Sequence, residues 1–266
     1  MKRFPAKPRR RRALIALVAL CLCSGMAATF AQGERTQEGN LIASLDGGLS
    51  PLLLPRHRLA PVALHLEGGL QTDDGSTLPR VTGMELGLPG QGVLTTRGLP
   101  VCSPTTLRNA TPEAANKVCG PALIGRGRLT AEVLITNQPP FTIHARLLAF
   151  NGRIDGRRAV ILHAFAASPP TVVVLPFVLH LRKGRYGTVL IADLPPSLGP
   201  WPHFTHFDMT LSRHYVYRGQ KLSYLSASCP LPHIITAGVF SFARATYVLE
   251  DGGRISTDIP RGCRAR

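Results

Sequence analysis

The chain has 266 residues, 31 of them Lys or Arg against 15 Asp or Glu, for a formal net charge of +16. Its 26 glycines and 23 prolines make it dense in turns yet leave it below the level that marks disorder, so a folded body is expected. That length suffices for one large β domain or two smaller ones.

Residues 1–31 read as a signal peptide. Lys2, Arg3, Lys7 and Arg9 to Arg12 form a basic start without acids, Ala13 to Cys23 is an apolar run, and Thr29-Phe30-Ala31 offers a small-x-small cleavage site. The competing reading keeps Ala13 to Ala31 as an uncleaved anchor, because this uncharged stretch sits at the lower edge of what spans a bilayer. In both readings the basic flank stays cytoplasmic, and the folded part is secreted or extracytoplasmic, or N-terminally membrane-anchored on the outside. Arg11-Arg12-Ala13-Leu14 is also compatible with twin-arginine export.

Seven basic residues and no acids belong to this leader, which leaves 24 against 15, a charge near +9 carried almost wholly by arginine. An arginine-favouring genome is the plain cause, and attraction to an anionic envelope polymer or glycan, to lipid headgroups or to nucleic acid is the functional one. After the leader no basic run exceeds two residues, so there is no specific nucleic-acid signal. A membrane partner is expected only through an uncleaved signal segment.

Residues 32–42 are polar at first and lack aromatics, which predicts a flexible lead. From residue 43 to 266 a β-rich secreted domain is expected, with a possible sub-boundary near 100–121. Val62, Leu64 and Leu66 alternate with Ala63, His65 and Glu67, and Thr82 to Leu88 and Leu129 to Ile135 behave similarly. One short helix near 112–119 interrupts: Thr111 caps it, Pro112 takes the first helical position, Glu113 suits the positive end of the dipole and Gly120 ends it.

The second half reads as antiparallel hairpins. Ile143, Ala145, Leu147 and Ala149 share one face of a strand that Asn151-Gly152 turns into Ala159 to Phe165. Val173 to Leu181 follows, with Pro176 demoting it to an edge or a bulge, and Lys183-Gly184 turns it into Tyr186 to Leu194. Val239 to Leu249 hairpins through Glu250-Asp251-Gly252-Gly253 to a strand with Ile255, Thr257 and Ile259 inward. Ten to twelve such strands with frequent turns predict an all-β, antiparallel β-sandwich or jelly-roll-like fold.

Four cysteines follow the leader: Cys102, Cys119, Cys229 and Cys263. An even count in an exported chain predicts two disulfides, and pairing Cys102 with Cys119 and Cys229 with Cys263 needs the shortest loops of the three connectivities. No Cys-x-x-Cys spacing suggests zinc.

The strings Cys119-Gly-Pro-Ala-Leu-Ile-Gly, Leu147-Leu-Ala-Phe-Asn-Gly, Ser223-Tyr-Leu-Ser-Ala-Ser-Cys-Pro and Phe242-Ala-Arg-Ala resemble a group of exported proteins of high-GC Gram-positive bacteria. The resemblance runs from about Val101 to Arg266. It implies a secreted β-rich body with a cysteine soon before the C-terminus, and no activity.

Two polar clusters stand out. In Trp201 to Thr210, alternation places His206, Asp208 and Thr210 on one face and Phe207, Met209 and Leu211 on the other; His206 beside Asp208 is a weak candidate for a metal or for general-base work. In Arg213-His-Tyr-Val-Tyr-Arg218, the residues Arg213, Tyr215, Tyr217 and Arg218 supply flat aromatics and forked donors suited to sugar or phosphate, although tyrosine pairs also simply stabilise hairpins. No nucleophile elbow, phosphate loop, zincin or dinucleotide signature is present, so no catalytic residue and no cofactor are assigned. The expectation is a secreted or envelope-associated, non-enzymatic binding or structural module; the alternative is a secreted, polysaccharide-acting hydrolase on a jelly-roll scaffold.

Overall fold

The computed structural model describes residues 34–196, 199 and 201–266; the predicted signal peptide lies outside the described residues. In chain order the strands are β1 (Glu34–Glu38), β2 (Leu41–Ser50), β3 (Leu53–Leu54), β4 (Ala60–Pro61), β5 (Ala63–Thr72), β6 (Val81–Leu88), β7 (Gly92–Leu94), β8 (Leu123–Val133) and β9 (Phe141–Ile154). After these come β10 (Arg157–Ala167), β11 (Pro170–Leu181), β12 (Thr188–Asp193), β13 (Pro202–Leu211), β14 (His214–Tyr217), β15 (Gln220–Ser223), β16 (Leu225–Ala227), β17 (Ala237–Leu249) and β18 (Arg254–Ala265). Thirteen of them form one sheet in the order β1-β2-β5-β13-β8-β9-β10-β11-β12-β6-β17-β18-β3. Every neighbour pair is antiparallel except β18 with β3. The all-β expectation holds, and its layers come from a single long sheet that curls over on itself.

Curling brings β18 back beside β2 without a backbone ladder between them. Side chains bridge instead: Thr257 Oγ1 donates to Ala43 O at 3.1 Å, and Arg261 donates to Gly47 O at 2.6 Å and to the Asp46 carboxylate. Ile255, Thr257 and Ile259 all face the core, as their alternation predicts. Glycine permits the tight approach of β5, β13 and β8, because a Cβ at Gly69 would strike Thr205 O and one at Gly127 would strike Asp208 O.

Four expectations need correction. Residues 34–38, expected in a flexible lead, pair with β2 from Glu34↔Leu45 to Glu38↔Leu41. Its alternation is polar on both faces because β1 is an edge, where charged Glu34, Arg35 and Glu38 discourage further pairing. Asn151-Gly152 is not a turn: β9 runs through it, and the chain reverses at Asp155-Gly156, both with positive φ (48° and 76°). Asn151 is buried and donates from Nδ2 to Pro100 O at 2.7 Å. The β11 strand is internal, but the β12 ladder covers only Val178 to Leu181, so at Pro176 that flank is locally an edge. Residues 100–121 are no boundary. They carry two helices, Pro104–Leu107 and Pro112–Cys119, that bury Leu107, Ala115 and both cysteines against Leu148, Phe150 and Ile161 on the outer side of β9 and β10.

The predicted helix forms as its caps require: Thr111 Oγ1 accepts from Ala114 N at 3.3 Å and Gly120 closes the C-terminus. Both disulfides have the shortest-loop pairing, Cys102–Cys119 and Cys229–Cys263. Such bonds persist in an oxidising, extracytoplasmic setting. Among the described residues no helix is long and apolar enough to cross a membrane.

Candidate functional site

Antiparallel order sorts the connections to two ends of the curled sheet. One end holds the β5–β6, β8–β9, β10–β11, β12–β13 and β17–β18 connections, and we call it the mouth. The other holds both helices, the β9–β10 and β11–β12 turns, and a lid made of the three-stranded sheet β4-β16-β7 with the hairpin β14-β15. Both disulfides lie at this lidded end.

Inside the sheet, a cavity of about 320 Å³ begins at the mouth between Ile135, Phe141, Pro169, Trp201 and Leu194. A second, of about 100 Å³, continues inward between Leu147, Leu162, Phe177, Leu190, Phe207 and Leu211. Met84, Leu129, Leu175 and Phe204 border both, so the two are contiguous. They follow β13 from Pro202 to Leu211, roughly 30 Å of strand. The lining is almost wholly aliphatic and aromatic. Among the described residues its one titratable group is Glu85, whose carboxylate accepts from Arg254 Nη2 at 2.7 Å, a pair that also lines a depression on the outer face.

A bulge builds the junction. Strict alternation would send Phe204 outward with His206, but the β13–β8 register shifts between Phe204 and His206, and Thr205 Oγ1 donates to Thr130 O at 2.9 Å. Phe204 and Phe207 therefore both face in, 6.2 Å apart, and Phe204 stacks on Tyr247 at 5.6 Å. Alternation in the sequence reports which residues face inward, not whether the inward residues fill the space. Hence the cavity had no sequence signal beyond long, small-residue strands around a lone Trp201.

The polar candidates have other partners. His206, Asp208 and Thr210 share the outer face as predicted, yet His206 approaches Glu67 (3.6 Å) while Asp208 takes Arg128 (3.0 Å) and His65 (3.7 Å). His144, His206 and Asp208 border an open depression, and among the described residues no group of three His, Cys, Asp or Glu is arranged to hold a metal ion. Tyr215 and Tyr217 share a face, but it lies on the segment Thr95–Gly98: Tyr215 hydroxyl donates to Arg97 O at 2.8 Å, and the Tyr217 ring packs over Gly98 with Arg97 and Arg218 5.8 and 5.4 Å from its centroid. Arg213 stands outside β14, its Nε buried without a protein partner. Arg218 and Gly219, both at positive φ, form the hairpin turn. This group thus fastens the lid.

Sequence reasoning missed a third cluster, on the outer face of β6, β17 and β18. Arg244 forks onto Asp258 at 2.8–3.0 Å and lies 5.1 Å over the Tyr186 ring, while the Tyr186 hydroxyl donates to Asp258. Burial alone would raise Asp258, but hydrogen bonds from Arg244 and Tyr186 and the arginine charge outweigh it and hold the carboxyl below its ordinary range. Burial first, then the bond to Asp258, pushes Tyr186 up to about 12. Only the fold, which brings residues 186, 244 and 258 together, reveals this cluster.

Comparison with models of protein families, with curated proteins and with solved structures returned no match to this chain.

Proposed function

We propose that this chain is an exported, non-catalytic binding protein whose curled sheet holds an apolar ligand, one bearing a hydrocarbon chain or ring system. One observation carries the reading: contiguous, apolar cavities run along the sheet interior to a mouth bordered by Trp201. Protein interiors are normally close-packed, and unfilled space forfeits dispersion contacts on its lining. A preformed apolar pocket of this size suits a small ligand. Among the described residues no pair of titratable side chains converges in it, whereas the hydrolase alternative requires one. The paired cysteines and the basic, apolar leader support the extracytoplasmic setting, with the body released or held by its N-terminus.

Trp201 is the sole tryptophan, so its emission reports on the mouth without labelling. Titration with a bromine-substituted fatty acid is expected to quench it saturably, with competition by the unbromined acid. Absence of saturable quenching, and of any displaceable binding of a fluorescent acyl probe, would remove this reading.

A further inference from the structure

We infer that the lidded end of the molecule is a docking surface for an anionic lipid bilayer, a property independent of what the cavity holds. The connections at the two ends differ sharply in charge. Residues 51–62, 89–122, 155–156, 182–187, 212–236 and 266 contain twelve Lys or Arg and only two acids, Glu113 and Asp155. At the mouth, residues 39–40, 73–80, 134–140, 168–169, 194–196, 199, 201 and 250–253 contain one basic residue, Arg80, and four acids. An anionic surface therefore attracts the lidded end and repels the mouth.

Charge alone would fit any polyanion, and the apolar residues select the bilayer. Leu52, Leu53, Ile234, Ile235 and Val239 are all exposed, Ile234 at 92% and Val239 at 73%. They form one patch: Leu53 pairs with Arg264, Leu52 O accepts from Arg264 N (2.9 Å), Thr236 O accepts from Ala265 N (2.8 Å), and Val239 pairs with Gly262. The turn that presents Ile234 is rigidly held. Ile235 N donates to Pro232 O at 3.0 Å, and Arg56 donates to the carbonyls of Leu231, Pro232 and Ile235 at 2.7–2.9 Å. The Cys229–Cys263 bond anchors its base. Aliphatic tips on a braced turn, with Arg264 and Arg266 at the adjoining strand end and Arg58 two residues past the bracing Arg56, match the pairing of apolar insertion with headgroup attraction that holds proteins at membrane interfaces. A soluble polyanion offers nothing for the aliphatic tips to enter.

The test uses the chain from Gln32, whose described residues contain both buried apolar clusters. It is expected to co-sediment with vesicles of phosphatidylcholine plus phosphatidylglycerol, weakly with phosphatidylcholine alone, and less as salt rises. Ile234→Asp should lower the partition by roughly tenfold or more, and Arg58→Glu by a similar factor. Ile234→Trp should raise it and add an emission that shifts to the blue on vesicles, which keeps the test decisive if the Asp variant expresses poorly. Trp201 quenching by the brominated acid should be the same in Ile234→Asp, so that failure here and failure of the cavity reading are separate results. The inference is overturned by vesicle binding that is absent or indifferent to Ile234→Asp. It is equally overturned by tight binding to soluble polyphosphate that survives that substitution, or by a dimer in solution that Ile234→Asp dissolves.

Discussion

Thr257 and Ala43 meet across the one flank of the curled sheet that no backbone ladder closes: the buried hydroxyl donates to the carbonyl at 3.1 Å. Replacing the hydroxyl with a methyl group removes this bond, while Ala43 stays within the ladders that β2 makes with β1 and β5. Thr257→Val, close in shape, is expected to lower unfolding free energy by about 0.5–1.5 kcal/mol. Urea unfolding should show a lower midpoint with unchanged slope; an unchanged midpoint would mean that the seam contributes nothing.

Ala166 lines the mouth cavity and is 3% exposed. In a filled core Ala166→Phe would cost about 1–3 kcal/mol through overpacking. Beside a cavity of about 320 Å³ it should cost little or even stabilise, while weakening binding of an acyl probe by roughly tenfold. A matched pair of measurements, thermal unfolding and Trp201 quenching, separates these outcomes. Strong destabilisation would show that the space is not available.

Tyr186 and Asp258 give the outer cluster a pH signature at both extremes. The tyrosine is raised to about 12, so its stabilisation is complete below its ordinary value near 10 and disappears as pH rises through about 12. Asp258 is lowered, so its contribution is present above the ordinary aspartate value and fades as pH falls through the depressed one. Absorbance titration of tyrosinate should find one group near 12 that moves toward the ordinary value in Asp258→Asn. An unmoved titration curve would exclude the bond between them.

Cys229–Cys263 closes a loop of 34 residues and Cys102–Cys119 one of 17. On the chain-entropy account the longer contributes about 4 kcal/mol and the shorter about 3. The paired substitution Cys229→Ser with Cys263→Ser should therefore destabilise more than Cys102→Ser with Cys119→Ser, as read by denaturant unfolding. The reverse order would point to packing under the two helices as the larger effect.

Much of the architecture was legible because local signals and the fold agreed. The caps at Thr111 and Gly120, the hairpin at Glu250–Gly253, the pairing of four cysteines and the inward set Ile255, Thr257 and Ile259 all follow from spacing. Two turn signals within six residues defeated the reading at Asn151-Gly152, because Asp155-Gly156 offered an equally good reversal and a buried partner at Pro100 kept Asn151 in the strand. The flexible lead failed because an edge strand satisfies its backbone on one side only and needs no apolar face. The geometry of the candidate site was hidden for a different reason. Cavity, seam and charge separation arise from residues far apart in the chain, and Phe204 reaches the cavity only through a bulge that period-two reasoning cannot see.

Both covalent cross-links sit at the lidded end, and the described connections around the mouth contain no cysteine. Those mouth segments can consequently lengthen, shorten or change composition without exposing a thiol to mispairing during oxidative maturation. The mouth is thereby free to diverge among descendants of this chain while the assembly route of the body stays the same.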